Sequence, residues 1–400
     1  LNHFYYQVKT NSVIISAKRT PVGAFQGSLS SFSAPQLGSE VFKGIIADKN
    51  LDDISIDEVI MGNVLGAGLG QAPARQAALF SGLPNHVSCL TINKMCGSGL
   101  KAIMLADQAI QCSDSEIVLA GGMESMSNAP YLINNFRKGQ KLGHSKMIDS
   151  MIHDGLWDVY NNMHMGNCAE MLSSKRNFSR EAQDTFAKKS YQKAKIAQSI
   201  NVFEKEIIPI KIEKRRSETI FIKEDEEPGK ANFDKFSKLR PAFEKEGTIT
   251  AANASKLNDG AAAALVMSEK KALELDLEPI ARIVTHCSYA HKPEWFTTAP
   301  GEAIKRVLKK AGMNSSEIGL WEINEAFSSV TMAAIDDFKI NPEIVNVYGG
   351  AVAIGHPIGA SGARILATLL NAMSQKNKKY GLAVLCIGGG EASAMILEKI

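Results

Sequence analysis

The sequence has little of several features that mark particular classes of protein. Its 400 residues carry a formal net charge of only +3, which gives no reason to expect a nucleic acid as partner. No apolar run approaches the roughly 20 residues that a membrane-spanning helix needs. The first residues, LNHFYYQVKT, lack the basic and then apolar pattern of a secretory signal. We therefore expect neither a nucleic acid nor a membrane as partner, and a cytoplasmic location with the mitochondrial matrix as the alternative.

No two of the cysteines are spaced as a CxxC pair, so the sequence suggests neither a zinc cluster nor a redox pair. The six cysteines are Cys89, Cys96, Cys112, Cys168, Cys287 and Cys386. In a chain of this length they are typical of free thiols in a reducing compartment. What the sequence does have, 45% hydrophobic residues and 32 glycines, is typical of a packed enzyme with many loops.

The rest of the chain is arranged around the segment Val345–Arg364, VNVYGGAVAIGHPIGASGAR. A β-branched run at Val345 and Val347 precedes a glycine pair, and small residues after His356 precede a helix. Strand, glycine-rich turn and helix start form the layout that places a side chain at the end of a sheet, facing a helix amino terminus. A histidine there is suited to proton transfer or to polarising an oxygen, with a structural role as the alternative.

Residues 97–122 and 359–390 share one order of elements: a turn of small residues, a helix, an apolar strand and a glycine cluster. We interpret this as an internal duplication of one α/β unit, with chance similarity of two βαβ units as the alternative. Two such halves would bring Cys96 from the first and His356 from the second together between them. The charge-mixed segment Glu124–Ser255 separates the halves and is interpreted as a solvated insertion.

Three further polar residues stand at predicted sheet ends. Cys96 precedes a predicted helix start, where the helix dipole and free N–H groups should lower the thiol pKa below the free value of about 8.5 and favour a nucleophile. Cys386 ends a strand before a glycine triplet whose N–H groups can bind an oxyanion, and Asn324 stands where a water can be held. A lone cysteine is more often a small buried hydrophobe. Together with His356, however, these groups indicate covalent acyl chemistry with carbanion stabilisation.

Five segments, in this order, resemble the motifs of the thiolase family. They are Asn93–Leu100 (NKMCGSGL), Gly121–Ser127 (GGMESMS), Asn324–Phe327 (NEAF), Gly355–Ala363 (GHPIGASGA) and Cys386–Gly390 (CIGGG). The resemblance runs from about Asn11 to Ile400. Within the family the chain is similar to the acetyl-CoA acetyltransferases, and Asp154–Gly166 (DGLWDVYNNMHMG) is similar to the potassium-responsive mitochondrial type and its bacterial relatives.

This resemblance implies an α/β protein of the thiolase fold, with two duplicated αβα-layered halves and an inserted loop domain. The amino-terminal half would be residues 11–126, completed by residues 257–278. The inserted domain, residues 127–256, would bind coenzyme A, and residues 279–400 would form the carboxy-terminal half. The family also implies a homodimer or a homotetramer.

The activity implied is the condensation of two acetyl-CoA to acetoacetyl-CoA plus CoA, and the reverse thiolysis. Cys96 would carry the acyl group as a thioester, activated by His356, while Cys386 removes the α-proton of the second acetyl-CoA. Asn324 would hold a water that forms one oxyanion hole with His356. The N–H groups of Cys96 and Gly388 would form the other, and no metal is required for the chemistry.

The resemblance also implies binding residues. Those for coenzyme A would be Leu156, His164, Met165, Ala251, Ser255, Phe296, Ala326 and Phe327. Those for a potassium ion would be Tyr191, Ala251, Ala252, Ala254 and Val352. Two positions depart from the family pattern: Tyr348, which we expect to alter the polarity of the pocket, and Glu391, which would raise the pKa of Cys386 if buried.

Two alternatives to this function stay open at this point. One is a degradative 3-ketoacyl-CoA thiolase that acts on longer chains. The other, from a different class, is a non-catalytic carrier of acyl-CoA or lipid on the same scaffold, although such relatives usually lose the nucleophile or the histidine of the GHP motif.

Overall fold

The computed structural model describes residues 11–51, 55–213 and 218–400. The amino-terminal segment LNHFYYQVKT and part of the charged run 211–216 therefore lie outside the described residues. In the part of the chain that is described, no helix combines the length and the apolar character needed to cross a membrane.

Strands and helices alternate along much of the chain. The strands are β1 (Ser12–Arg19), β2 (Gly23–Ala24), β3 (Glu58–Gly62), β4 (Ser88–Ile92), β5 (Ile117–Ser125), β6 (Tyr131–Ile133), β7 (Met147–Asp149), β8 (Trp157–Asp158), β9 (Met163–His164), β10 (Ile210–Ile212), β11 (Ile220–Ile222), β12 (Asn258–Ser268), β13 (Ala281–Ala290), β14 (Leu320–Ile323), β15 (Tyr380–Ile387) and β16 (Glu391–Lys399). The α-helices are α1 (Ala34–Lys49), α2 (Pro73–Phe80), α3 (Ser98–Gln111), α4 (Ser150–Gly155), α5 (Met165–Arg176), α6 (Arg180–Ser199), α7 (Glu226–Lys230), α8 (Glu269–Glu274), α9 (Ala299–Ala311), α10 (Ser328–Phe338), α11 (Ala351–Ile354) and α12 (Ser361–Gln375).

One ten-stranded sheet runs through both halves in the order β14-β15-β16-β13-β1-β12-β5-β3-β4, with β2 paired to β12. In the first half β4, β3 and β5 are parallel, and β12 and β1 follow antiparallel. The second half repeats this with β14 parallel to β15 and with β16 and β13 antiparallel. The two meet where Val13 and Ile14 of β1 pair with Arg282 and Ala281 of β13. The predicted duplication is thereby confirmed.

The halves differ in how the chain returns along the sheet. In the second half a tight turn joins β15 to β16, and it contains Gly389 and Gly390 at φ angles of +91° and +88°, which favour glycine. In the first half residues 126–257 stand between β5 and β12, and they contain the short hairpins β6–β7, β8–β9 and β10–β11. The predicted domain limits, with an inserted domain at residues 127–256, stay a prediction.

The core is layered because each sheet half is buried on both faces. In the first half the odd residues of β12 face α1 and α2, and the even ones face α3 and α12. The second half packs its outer face on α9 and α10. With helices close on both faces, the four alanines Ala261–Ala264 of β12 are all buried, as expected for a strand that is covered on both sides.

Helices α3 and α12 cross in the middle layer by backbone contact. A Cβ at Gly99 would lie 2.8 Å from the backbone nitrogen of Ala363, and one at Gly362 would overlap the backbone nitrogen of Leu100. The two glycines occupy corresponding positions in the duplicated halves. Their contact brings together the amino ends of both helices, and with them the loops that carry Cys96 and His356.

The predicted strand at Val345–Val347 was wrong. Val345 makes only a single bridge to Trp321, and Asn346 has a φ of +43°, outside the range of a strand. The Asn346 side chain makes the two hydrogen bonds to Ile323 that the backbone of a paired strand would make. Oδ1 accepts from Ile323 N–H at 2.9 Å, and Nδ2 donates to Ile323 O at 2.8 Å. The segment before His356 is therefore a turn followed by the short helix α11.

Candidate active site

Cys96 lies in a sharp turn between β4 and α3. Met95, just before it, has a φ of +48°, and the turn is closed by Gly97 N–H on Lys94 O at 3.0 Å. A Cβ at Gly97 would overlap the side chain of Ile387 at the end of β15. Glycine at that position therefore lets the turn with the thiol lie directly against the strand that carries Cys386.

Two backbone N–H groups, that of Cys96 itself and that of Gly388, lie near enough to the Cys96 sulfur to lower its thiol pKa. Burial has the larger effect and raises the pKa of Cys96 to about 11. The expectation that the helix start would lower it was therefore wrong, because desolvation outweighs the two donors. That these two N–H groups form an oxyanion hole stays a prediction.

His356 is held in one orientation by its neighbours. Its backbone N–H donates to Asn258 Oδ1 at 2.8 Å, and its Nδ1 lies 2.5 Å from Ser361 Oγ. The single hydroxyl hydrogen of Ser361 is donated to Pro357 O at 2.9 Å, so Nδ1 must be the donor to Ser361. Nε2 is then the basic nitrogen, and it has no hydrogen-bond partner among the described residues. Burial, with a smaller effect of Arg364, lowers the pKa of His356 to about 3.

Cys386 and Asn324 end neighbouring parallel strands. Asn324 N–H donates to Val384 O at 3.0 Å, which places Asn324 beside the end of β15 where Cys386 lies. Burial and then the nearby Cys96 raise the pKa of Cys386 well above its ordinary value. Both side-chain atoms of Asn324, Oδ1 and Nδ2, are buried without a partner among the described residues. Such an amide is available to a water or a substrate oxygen.

A cavity of about 370 Å³ lies against the loops that carry Cys96 and His356. Cys96, His356 and Gly388 line it, whereas Cys386 and Asn324 do not. All eight residues predicted to bind coenzyme A line it too: Leu156, His164, Met165, Ala251, Ser255, Phe296, Ala326 and Phe327. The sequence did not indicate Phe243, whose ring stacks on His164 at a centroid distance of 4.7 Å.

Glu124 is a residue of the GGMESMS motif to which the sequence assigned no role. Its fully buried carboxylate accepts from the backbone N–H groups of Val64 and Leu65, both at 3.1 Å, and from Gly359 N–H at 2.9 Å. It therefore ties the first half to the loop after His356. Burial raises the pKa of Glu124 to about 7. A carboxylate among apolar neighbours in a glycine-rich motif was the signal that could have found it.

Three of the five residues predicted to hold potassium, Tyr191, Ala254 and Val352, lie around an ammonium group instead. Lys256 Nζ donates to Ala254 O at 2.9 Å and Val352 O at 3.4 Å, and it lies 5.6 Å from the centre of the Tyr191 ring. Two of the predicted carbonyl ligands are thus already occupied, so the set does not fit a potassium ion. In the described ranges, no three side chains of His, Cys, Asp or Glu converge as metal ligands either.

The two departures from the family pattern have structural explanations. Glu391 is partly exposed and forms an ion pair with Lys94, and it is not among the groups that shift the pKa of Cys386. Tyr348 is buried against Phe203, with ring centroids 6.1 Å apart, and does not line the cavity. The expected change in pocket polarity from Tyr348 is therefore absent.

A cysteine and a histidine on one cavity, with a second cysteine close to the first at the seam of a duplicated α/β fold, are the groups that acyl transfer through a cysteine thioester requires. The comparisons with known proteins identify the family. The family description "Thiolase, N-terminal domain" matches residues 12–270, and "Thiolase, C-terminal domain" matches residues 277–399. The chain belongs to the thiolase family and is an enzyme of the acyltransferase class.

Individual relatives agree over nearly their whole length. The chain is 49% identical to the acetyl-CoA acetyltransferase of Allochromatium vinosum, covering 98% of this chain and 99% of that one. It is 48% identical to acetyl-CoA acetyltransferase 2 of Arabidopsis thaliana, covering 96% of each chain. A solved Acat5 thiolase from Ascaris suum in complex with coenzyme A superposes with a TM-score of 0.92 at 43% identity, covering 98% of this chain and 100% of that one.

Proposed function

We propose that the chain is an acetyl-CoA acetyltransferase, which condenses two acetyl-CoA to acetoacetyl-CoA and CoA and also catalyses the reverse thiolysis. One observation carries the proposal: Cys96, His356 and Gly388 line the same cavity as all eight side chains predicted for coenzyme A. The names of the relatives that are 48 and 49% identical support the same activity.

In the first step the Cys96 sulfur attacks the thioester carbonyl of acetyl-CoA, and its proton passes to His356 Nε2. Burial holds the pKa of the thiol near 11 and that of the imidazole near 3, so the resting pair is neutral. The proton therefore moves as the new C–S bond forms. The CoA thiolate leaves and takes the proton of the Cys386 thiol, which leaves acetyl-Cys96, an imidazolium and a Cys386 thiolate.

In the second step the Cys386 thiolate removes an α-proton from another acetyl-CoA, and the enolate carbon attacks the acetyl group on Cys96. Acetoacetyl-CoA leaves, and the Cys96 sulfur recovers its proton from His356. The raised pKa of Cys386 suits this role, because a thiolate of high pKa is a stronger base toward a weakly acidic C–H group.

Two sets of donors stabilise the negative oxygens of these steps. The backbone N–H groups of Cys96 and Gly388 lie at the sulfur, where the oxygen of its acetyl group develops charge during attack. Protonated His356 Nε2, with a water on the Asn324 amide, faces the enolate oxygen of the second acetyl-CoA. The buried, unpartnered atoms of both side chains support this assignment.

Coenzyme A would enter along the apolar wall of the cavity. Met165, Phe296 and Phe327 are buried hydrophobic side chains on that wall, and they would contact the pantetheine arm. The polar side chains of His164 and Ser255, which also line the cavity, would orient it.

The proposal is tested by mixing the purified chain with acetyl-CoA, quenching with acid and mapping the acetylated peptide. Wild-type protein should carry acetyl on Cys96 and release acetoacetyl-CoA and CoA in equal amounts. Cys96→Ser should do neither, and the control Cys112→Ser should match wild type, because Cys112 is an exposed thiol at the far end of α3. Label on another residue, or faster thiolysis of longer ketoacyl-CoA thioesters than of acetoacetyl-CoA, would contradict the proposal.

We also propose a homodimer or homotetramer. Among the described residues β4 is an edge strand of the sheet, and its free backbone edge with the exposed side chain of Leu90 supports self-association, because another sheet can pair on such a surface. Light scattering of the purified chain measures the assembly state directly. The cytoplasmic location stays a prediction from the sequence, to be tested by cell fractionation.

A further inference from the structure

We propose that the ammonium group of Lys256 is a resident cation that positions the coenzyme A wall against the His356 loop and makes this enzyme independent of monovalent cations. The inference rests on the proposed function, because the positioned parts are those that hold the acyl-CoA substrate. Lys256 would be a positioning residue, since it acts through the backbone and not on the reacting atoms.

The ammonium joins two separate segments through their carbonyl oxygens. Nζ donates to Ala254 O at 2.9 Å in the turn that lines the cavity, and to Val352 O at 3.4 Å in α11. Helix α11 ends two residues before His356. One charged group thus fixes the distance between the substrate wall and the loop of the catalytic base.

The same turn is joined to the NEAF segment by backbone hydrogen bonds. Ser255 N–H donates to Ala326 O at 2.9 Å, and Ala254 forms an antiparallel bridge with Phe327. Three of the segments that carry catalytic groups or contact coenzyme A therefore meet around Lys256. A shift of the turn would move Ala326, Phe327 and Ser255 together, and all three line the cavity.

The surroundings of Lys256 favour a positive charge at this point. Glu227 and Glu325 both attract the ammonium, and the Glu325 carboxylate also accepts from Val352 N–H at 3.2 Å. The Val352 peptide thus lies between a buried carboxylate on its N–H side and the ammonium on its C=O side. Burial lowers the pKa of Lys256 to about 8, which leaves the side chain charged at neutral pH.

Carbonyl oxygens, a nearby aromatic ring and two carboxylates would equally suit a free monovalent cation. Lys256 supplies that charge covalently, and a chain with a small residue at this position would have to bind it from solution. The difference gives a direct experiment on the wild-type protein. Its thiolysis rate and its thermal unfolding should be the same, within about twofold in rate, in potassium, sodium and choline chloride at equal ionic strength.

Lys256→Ala removes the tether and opens the space. The KM for acetoacetyl-CoA should rise about tenfold, as expected for a lost hydrogen bond to a charged group, with a smaller change in kcat. Added potassium or methylammonium should restore most of the KM and should raise the unfolding temperature of this variant alone. Lys256→Met, which fills the space without charge, should show the same loss and no recovery.

Lys18→Ala is the matched control, because Lys18 Nζ also donates to a backbone carbonyl, Lys205 O at 2.9 Å, but away from the cavity. It should alter neither KM nor the response to cations. Activation of wild type by potassium, an unchanged KM in Lys256→Ala, or a loss that neither cation restores would each overturn the inference. The unfolding measurements decide the question even if the chain proves to have another activity.

Discussion

The backbone N–H of Gly388 lies near enough to the sulfur of Cys96 to lower the pKa of that thiol, and so the glycine turn of one half of the molecule meets the nucleophile of the other. Neither half holds a complete site, because Cys96 belongs to the first and His356, Cys386 and Gly388 to the second. The activity of the proposed enzyme therefore depends on how closely the two halves approach each other. That approach is set by glycines at the crossing of α3 and α12.

We predict that Gly362→Ala destabilises the protein by about 1–3 kcal/mol and reduces activity. A methyl group there would overlap the backbone nitrogen of Leu100, and backbone cannot move aside as a flexible side chain can. Gly229→Ala is the matched control, since Gly229 is also helical and a Cβ there meets no atom of the described residues within 4 Å. Urea unfolding of both variants measures the difference. Equal stability of the two would show that α3 and α12 are not in backbone contact.

Cys386→Ser should separate the two steps of the reaction. In the acetylation of Cys96, Cys386 only gives a proton to the leaving CoA. The rate at which the variant exchanges labelled CoA into acetyl-CoA should therefore fall modestly. Condensation needs a strong base at the α-carbon and should fall by about 10²–10⁴-fold, the usual contribution of such a group. The control is Cys168→Ser, a buried thiol in the same apolar cluster. Equal losses in exchange and condensation would remove Cys386 from the proton transfer.

The ion pair between Lys94 and Glu391 links the turn before Cys96 to the strand after Gly388. Both side chains are partly exposed, so a double-mutant cycle with Lys94→Met and Glu391→Gln should give a coupling energy of about 0.2–1 kcal/mol.

The alkylation rate of Cys386 as a function of pH should be the same in Glu391→Gln and wild type, because Glu391 does not shift the pKa of Cys386. A lower pKa of Cys386 in the variant would restore the role that the sequence suggested for this residue.

Much of the fold was predictable because its signals are local. Helix α3 and strand β15 lie inside the ranges 97–122 and 359–390, in which the sequence predicted a helix followed by a strand, and the repeated order of elements predicted the duplicated halves. The cavity residues followed from the resemblance to a family, not from spacing, since Leu156 and Phe327 carry no sign of their role by themselves. They lie on one cavity only because the inserted segment folds back onto the second half.

The sequence could not predict the pKa values and hydrogen bonds that are set by neighbours remote in sequence. Cys96 stands just before a helix start, yet burial outweighs the helix and raises its pKa. Asn346 interrupts a β-branched run by making with its side chain the hydrogen bonds that a strand would make. In the sequence Lys256 is one polar residue in a turn. Its contact with Val352 is visible only in the structure, because Val352 belongs to a helix that is remote in sequence. Each depends on a neighbour that is remote in sequence.

His356 should make the protein less stable in acid, and His356→Asn should remove that effect. The pKa of the imidazole is about 3 in the folded protein and about 6.5 in the unfolded chain. Below pH 6.5 the unfolded chain therefore binds a proton that the folded chain does not bind. Stability from this group is complete above pH 6.5 and is lost as the pH falls toward 3. Between about pH 7.5 and about pH 5 wild type should lose about 2 kcal/mol more than His356→Asn in urea unfolding.

The asparagine variant is the suitable comparison because its amide can still donate to Ser361 Oγ, as Nδ1 does, without an ionisable proton. Glu124 and Glu322, whose pKa values burial raises to about 7 and about 8, act in the opposite direction, since the unfolded chain loses their protons first as the pH rises. Both are present in the two proteins, so the difference between them isolates the imidazole. If the two curves were parallel, His356 would titrate near 6.5 in the folded protein, and it would then be an imidazolium in mild acid and unable to accept the proton of Cys96.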